Sequence, residues 1–243
     1  MKSPFFSLML LVGLLLASTA CDSQKTNANS ATEDSKAVSA VKGNPEPVAG
    51  VTIGELDKEY PGKEKAYLAG GCFWCTEASL DRIQGVADVY SGYAGGPEKN
   101  PTYYEVAGGG TGHAEAIVVY YDPAVITYSE ILDVFFVAHD PTQLNQQGPD
   151  RGPQYRSAIF PLNDEQERIA REKIKALDAS GKFSAKVVTT IEDTDDFYLA
   201  EAYHQDYYED PTNPNQGYVQ NVSRPKVEKV MKVFKDRLKA EFQ

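Results

Sequence analysis

Every one of the 15 tyrosines and the single tryptophan of this 243-residue chain lies beyond residue 59. Apart from Phe5 and Phe6, the aromatic side chains, which bury the most apolar area, are therefore confined to one stretch, roughly residues 52–243, which is long enough for one sizeable core. From Asp22 to Gly50 there is no aromatic residue and no Leu, Ile or Met, and Ser, Asn, Ala, Lys and Glu dominate. Such a segment cannot bury enough surface to offset its ordering entropy, and it reads as a flexible tether.

The first 20 residues have a different character. Lys2 precedes an apolar run from Phe5 to Ala17, and the small residues Ser18, Thr19 and Ala20 lead into Cys21. A charged start, an apolar stretch and a small-residue cleavage zone in that order form an export signal. A membrane-spanning anchor is the alternative, but it needs about 20 apolar residues and this run is shorter. Cys21 directly after small residues resembles a bacterial lipoprotein cleavage site, which implies that its thiol carries a lipid and becomes the mature N-terminus. Ser18 stands where that pattern usually has Leu, so ordinary cleavage after Ala20 stays open. The expected organisation is a signal peptide over 1–20, an anchor cysteine and tether over 21–51, and a folded domain over 52–243. The expected location is the bacterial cell envelope, lipid-anchored on the periplasmic side or otherwise secreted.

Charge and cysteine usage narrow the function. With 24 Lys+Arg against 35 Asp+Glu the chain carries −11, and no basic run offsets this locally, so nucleic acid is excluded as a partner. Three Cys cannot form a many-bridged scaffold, and His113, His139 and His204 are too widely spaced for a close pair of metal ligands. No metal and no cofactor is expected.

Within the folded part, Ala66-Tyr67-Leu68 is a short apolar run stopped by Gly70-Gly71, and Thr76 to Ile83 has helical spacing. A strand, a glycine turn and a helix thus meet at Cys72. Val86–Tyr93, Ala114–Tyr121 and Gln154–Phe160 read as strands, and Ala185–Ile191 as a further β-rich run. Tyr128–Ala138, Asn163–Leu177 behind an Asn cap, and Val227–Phe242 read as helices. The stretches Gly92–Gly112, Asp140–Gly152 and Asp210–Tyr218 are rich in Gly, Pro, Asn and Gln, and loops of that length in a compact domain are usually functional or disordered. The pattern implies an α+β core whose site is built from loops.

The chemistry centres on Gly71-Cys72-Phe73-Trp74-Cys75. A thiol at a helix N-terminus feels the positive end of the macrodipole, which lowers its pKa and makes Cys72 a candidate nucleophile. The alternative is a pair of buried structural cysteines. The two glycines before the thiol read as clearing room for a substrate, with Phe73 and Trp74 as an apolar wall. Gly108-Gly109-Gly110-Thr111-Gly112 lacks the Lys and Ser/Thr of a phosphate cradle and reads as a flexible site loop.

At this point the chain resembles the type A peptide methionine sulfoxide reductases over nearly everything after residue 63. Gly-Cys-Phe-Trp is that family's signature. With it come Pro101-Thr102-Tyr103, Thr111-Gly112-His113-Ala114-Glu115-Ala116, His139-Asp140-Pro141-Thr142, Gln154-Tyr155-Arg156-Ser157 and Tyr203-His204-Gln205-Asp206-Tyr207, in the family's order. The resemblance implies a two-layer α/β sandwich with a mixed sheet, a ferredoxin-like plait with long loops. It implies reduction of the S epimer of methionine sulfoxide in oxidised proteins and peptides, since each epimer has its own enzyme. Carried over residue by residue, Cys72 attacks the sulfoxide sulfur and becomes a sulfenic acid, and Glu115 donates a proton to the oxygen. Tyr103 and Tyr155 orient that oxygen, Phe73 and Trp74 grip the S-methyl group, and Asp150 binds the substrate backbone. His113 is expected to be structural.

One departure bears on recycling. Many members carry a resolving cysteine after a Gly-Tyr pair near the C-terminus, whereas here Gly217-Tyr218 is followed by Val219 and no later Cys. Cys75 stands where the family commonly has Gly, and with Cys21 it is all that remains to resolve the sulfenic acid. Cβ atoms three residues apart on a helix lie roughly 5–6 Å apart, against about 3.8 Å in a relaxed disulfide. A Cys72–Cys75 bridge is therefore expected to be strained and easily reopened by a thioredoxin-like partner. Two other readings stay open at this level: a thiol:disulfide oxidoreductase working through the Cys-x-x-Cys pair, and a tethered lipoprotein that binds oxidised or Met-rich proteins without turnover.

Overall fold

A computed structural model describes residues 52–194 and 196–243. The expected signal peptide, the Cys21 anchor and the tether over 21–51 lie outside the described residues. Among the described residues no helix is long and apolar enough to cross a membrane.

The core is a βαββαβ unit. Strand β1 (Glu64–Gly70) runs into helix α2 (Phe73–Asp81), then β2 (Val86–Ala94) and β3 (Ala114–Tyr121) lead to α4 (Tyr128–Ala138) and β6 (Ser157–Phe160). Around it stand α1 (Ile53–Glu59), the short α3 (Tyr103–Ala107), the two-residue strands β4 (Gln146–Gln147) and β5 (Asp150–Arg151), and α5 (Asp164–Ala179). Beyond those come β7 (Thr190–Ile191), β8 (Phe197–Leu199), the single turn α6 (Gln216–Tyr218), a π-helical turn over Val219–Ser223, and α7 (Arg224–Val233). The main sheet has the order β7-β6-β1-β3-β2-β8, in which only the β6–β7 pair is parallel. The inner four strands, β6-β1-β3-β2, have the order of a ferredoxin-like plait, and the fold is α+β with a mixed sheet.

Alternation along the strands divides the core in two. Ala66, Leu68, Ile117, Val119 and Ile159 face a large cluster with α2, α4 and α7. Tyr67, Ala69, Val118, Tyr120 and Phe160 face a smaller one, closed by Leu56 of α1 and by Phe197. Period-2 patterning alone places Glu115, two residues before Ile117, on the helical face. Helix α4 is buried from Ile131 to Ala138 except at Asp133, because sheet, α2, α5 and α7 surround it. Capping boxes start α1 at Thr52/Glu55 and α4 at Thr127/Glu130, and Asn163 caps α5 by accepting from the Gln166 amide at 2.9 Å.

Three boundaries differ from the sequence reading. Gln154–Tyr155 belongs to a 3-10 turn led by Pro153, so β6 begins only at Ser157. In the Ala185–Ile191 run only Thr190–Ile191 pairs with β6. Upstream, the Val187 and Val188 amides donate instead to Asp178 Oδ1 and to the Pro141 carbonyl. The last helix stops at Val233. Beyond it the chain folds back on the end of α2, with the Gln84 amide donating to the Arg237 carbonyl and the Lys239 amide to the Arg82 carbonyl.

Candidate active site

Cys72 is the N-cap of α2, at the junction the glycine turn makes. Gly71 sits at φ +86°, and a Cβ there would lie 2.5 Å from Gln147; a Cβ on Gly70 would lie 2.9 Å from Phe135 and 3.2 Å from His139. The space beside both glycines is thus taken by the protein and not by a substrate, which corrects the sequence reading. The glycines let the 140–147 loop and α4 close directly onto the turn. His139 fastens that corner, with Nδ1 2.8 Å from the Phe135 carbonyl and Nε2 2.8 Å from Ser157 Oγ, and burial holds it neutral by pushing it down to about 4.

A cavity of about 230 Å³ opens over the thiol, lined by Cys72, Phe73, Trp74, Tyr103, Glu115, Asp150, Tyr155, Asn215 and Tyr218. Every site residue expected from the sequence apart from Cys75 and the undescribed Cys21 lines this one cavity. Few of them sit on irregular loops: Cys72 caps a helix, Glu115 is mid-sheet, Tyr103 opens α3, Tyr155 ends a 3-10 turn and Asp150 belongs to β5. His113 lies outside it, with its ring between the Gly96 amide and the Glu98 carbonyl, as a structural residue does.

Electrostatics separate the acid from the thiols. Glu115 is 2% exposed and accepts a hydrogen bond from the Phe73 amide at 3.1 Å. Burial outweighs that bond and, with the Asp150 and Cys75 charges, raises the carboxyl to about 8, so near neutral pH it holds its proton. The helix-dipole expectation for Cys72 does not survive. Burial pushes this thiol well up, and the hydrogen bond it gives Cys75 and the nearby charges of Cys75 and Glu115 push it further; a contact with Tyr218 opposes them. The first free amide of α2 serves Glu115 instead of the sulfur. The negative charge settles on the other thiol. Cys75, with that hydrogen bond from Cys72 as the largest cause, and with Lys226 and Ser223 assisting against burial, is drawn down to about 7. Both thiols are free.

The aromatic wall is held from the C-terminal side. Trp74 Nε1 donates to His204 Nδ1 at 3.2 Å, and its ring stacks on Tyr207 with centroids 3.8 Å apart and planes 6° from parallel. Gln205 bonds both backbone groups of Ser91, and the Asp206 amide, at φ 52°, donates to Glu77 Oε1 inside α2. The Tyr203–Tyr207 motif is thereby a clamp on Trp74. Tyr218 donates to Asp150 Oδ2 at 2.6 Å, joining the α6 turn to the cavity. Sequence reasoning assigned no role to His204, Tyr207 or Tyr218. The density of motif residues around position 204 was the available signal.

Comparison with known proteins establishes the family. Residues 64–238 match the family model described as peptide methionine sulfoxide reductase. A Rhodopirellula baltica protein, peptide methionine sulfoxide reductase MsrA 1, is 54% identical over 182 residues, 75% of this chain and 93% of its own. The chain belongs to the type A peptide methionine sulfoxide reductase family. A second member, MsrA of Deinococcus radiodurans, is 52% identical over 177 residues, covering 73% of this chain and 85% of its own. Among solved structures, methionine sulfoxide reductase A of Corynebacterium diphtheriae superimposes with a TM-score of 0.59 at 34% identity, over 71% of this chain and 85% of that one. The chain is therefore a reductase of oxidised methionine, and the thiol-disulfide and pure-binding readings fall away as descriptions of its main activity.

Proposed function

We propose that the protein reduces the S epimer of methionine sulfoxide in exported proteins, and in the free amino acid, by sulfur chemistry at Cys72 with Cys75 as the resolving thiol. The observation that carries this is the meeting, in one cavity, of a thiol, a protonated carboxyl and two phenols beside an apolar wall.

A sulfoxide oxygen leaves only if protonated. Glu115 supplies that proton, and Tyr103 and Tyr155, whose phenols burial keeps protonated, hold the oxygen in line as donors. The Cys72 thiol passes its proton to the Cys75 thiolate it already donates to and attacks the partly positive sulfoxide sulfur, and the Glu115 carboxylate left behind is reprotonated from solvent. Net, the Cys72 thiol and the sulfoxide become a sulfenic acid and a thioether: the oxygen moves between sulfurs, Cys72 is oxidised by two electrons and the substrate sulfur is reduced by two. Phe73 and Trp74 receive the S-methyl group and Asp150 the substrate backbone. Cys75 then condenses with the sulfenic acid, releasing water and leaving a disulfide that a thioredoxin-like dithiol reopens.

The setting proposed is the bacterial cell envelope. The Lys2–Ala20 pattern and Cys21 support export and lipid attachment, with residues 22–50 as the spacer between membrane surface and reductase. The membrane is engaged through the lipid alone. Incubating the mature domain with the separated S and R epimers and dithiothreitol tests the proposal. Methionine formed from the S epimer only is the expected result, and equal turnover of both would overturn the stereochemical reading.

A further inference from the structure

The Cys75 environment contains more than a resolving thiol requires for packing alone. Cys75 is 1% exposed on the first turn of α2. The chain that follows the family's usual tail-cysteine position, held here by Val219, folds over it. Ser223 ends the π-helical turn, with its Oγ accepting from the Cys75 thiol at 3.2 Å. Lys226 stands three residues on, on the same helical face, and its ammonium Nζ is 3.8 Å from the same sulfur. Two polar groups of one segment thus converge on a buried thiol.

We propose that Lys226 is the positioning residue of the resolving step, holding Cys75 as a thiolate aimed at the Cys72 sulfenic acid, with Ser223 as the neutral donor that steadies it. The inference rests on the reading of Cys75 as the resolving thiol. In this step the Cys75 thiolate forms the S–S bond to Cys72, the Cys72 S–O bond breaks, and the hydroxide leaves as water with the proton Cys75 had released to solvent. The charges facing Cys75 set the balance. Cys72 donates to it, Asp150 opposes its ionisation, Glu115 is protonated near neutral pH, Tyr218 is a neutral phenol joined to Asp150, and Lys226 is the cation acting on it. Lys226 in turn faces Asp150 and the buried, neutral His139. Loss of the ammonium should leave a thiol that ionises at higher pH, but one that is intrinsically more nucleophilic once ionised.

That opposition gives a readout a packing role would not produce. Single turnovers of the full chain with the S epimer, quenched by alkylation between pH 6 and 9, separate methionine release from disulfide formation. For Lys226→Met the midpoint of disulfide formation should move up by about one pH unit. Resolution should be about threefold slower at pH 6 and no slower at pH 9, from a Brønsted slope of about 0.4–0.5. Lys226→Arg should stay near the wild-type midpoint. Titration of thiolate absorbance in a Cys72→Ser background, with and without Lys226→Met, should show the same upward displacement. A wild-type midpoint in Lys226→Met, or a rate lowered equally at every pH, overturns the inference. Cys75→Ser separates the two levels: full turnover with a dithiol protein by that variant removes the resolving role itself. A stalled Cys75→Ser beside a Lys226→Met variant with the wild-type pH profile removes only the role of Lys226.

Discussion

The replacement Glu115→Gln probes the acid directly, because the burial that equips this residue for catalysis must also make the fold sensitive to pH. Raising a carboxyl from 4.5 to about 8 separates its two protonation states by roughly 5 kcal/mol, at about 1.36 kcal/mol per pH unit. In the folded chain Glu115 keeps its proton up to about pH 8, whereas in the unfolded chain it releases it near 4.5. The native state therefore binds the extra proton in between, and stability falls as pH rises through that window, by up to about 1.36 kcal/mol per unit. His139 and His204, both pushed down by burial to about 4 and about 3, contribute with the opposite sign as pH falls below the ordinary histidine range, so the wild-type curve alone is ambiguous. Subtracting the wild-type curve from that of Glu115→Gln isolates the carboxyl. Urea unfolding in excess reductant should show the variant gaining about 3 kcal/mol on wild type between pH 5 and 7.5, with no further gain above about pH 8. The rate of methionine release should rank wild type, Glu115→Gln, Glu115→Ala, and the wild type alone should lose rate above about pH 8. Parallel stability curves would refute the buried-acid argument, and equal rates for all three proteins would remove Glu115 from the mechanism.

Other outcomes follow from the same contacts. Gly71→Ala forces a side chain into a left-handed turn against Gln147, and should lower stability by about 1–3 kcal/mol in thermal or urea unfolding; an unchanged midpoint would mean the loop yields freely. His204→Leu removes the acceptor of the Trp74 indole and should cost about 1–3 kcal/mol. Because Trp74 is the only tryptophan, the change should also appear as a shift in its emission, together with a raised KM. Labelled palmitate should enter the wild-type chain in a bacterial host and not Cys21→Ala; an unlipidated, water-soluble mature wild type would establish ordinary secretion instead.

The plait was legible because its elements carry strong periodic signals. The runs at 114–121 and 128–138 are long, apolar and cleanly bounded, and their limits in the sequence coincide with the observed ones. Short or context-made elements were not. The pairing of Thr190–Ile191 and the end of α7 depend on partners distant in the chain, and local propensity cannot report those. The same division holds at the site. The cavity residues are reached through motifs, but the burial of Glu115 is not legible locally: an alternating strand equally allows a solvent-facing Glu115, and only the packing of both faces of β3 buries it. The raised Cys72 thiol is not legible in the sequence, because the helix dipole is a local effect whereas desolvation by the whole fold is not. Tyr218 escaped for a related reason: its place beside Asp150 is set by how the C-terminal segment wraps back across the cavity.

The division of labour between the two thiols is tested most directly by one turnover of the S epimer without any reductant, followed by intact-mass and peptide analysis of wild type, Cys75→Ser and Cys72→Ser. Wild type should release one equivalent of methionine and end as a Cys72–Cys75 disulfide, Cys75→Ser should release one equivalent and end as a Cys72 sulfenic acid, and Cys72→Ser should release none. Methionine release by Cys72→Ser, or a wild-type product with Cys75 still a free thiol, would contradict the proposed chemistry.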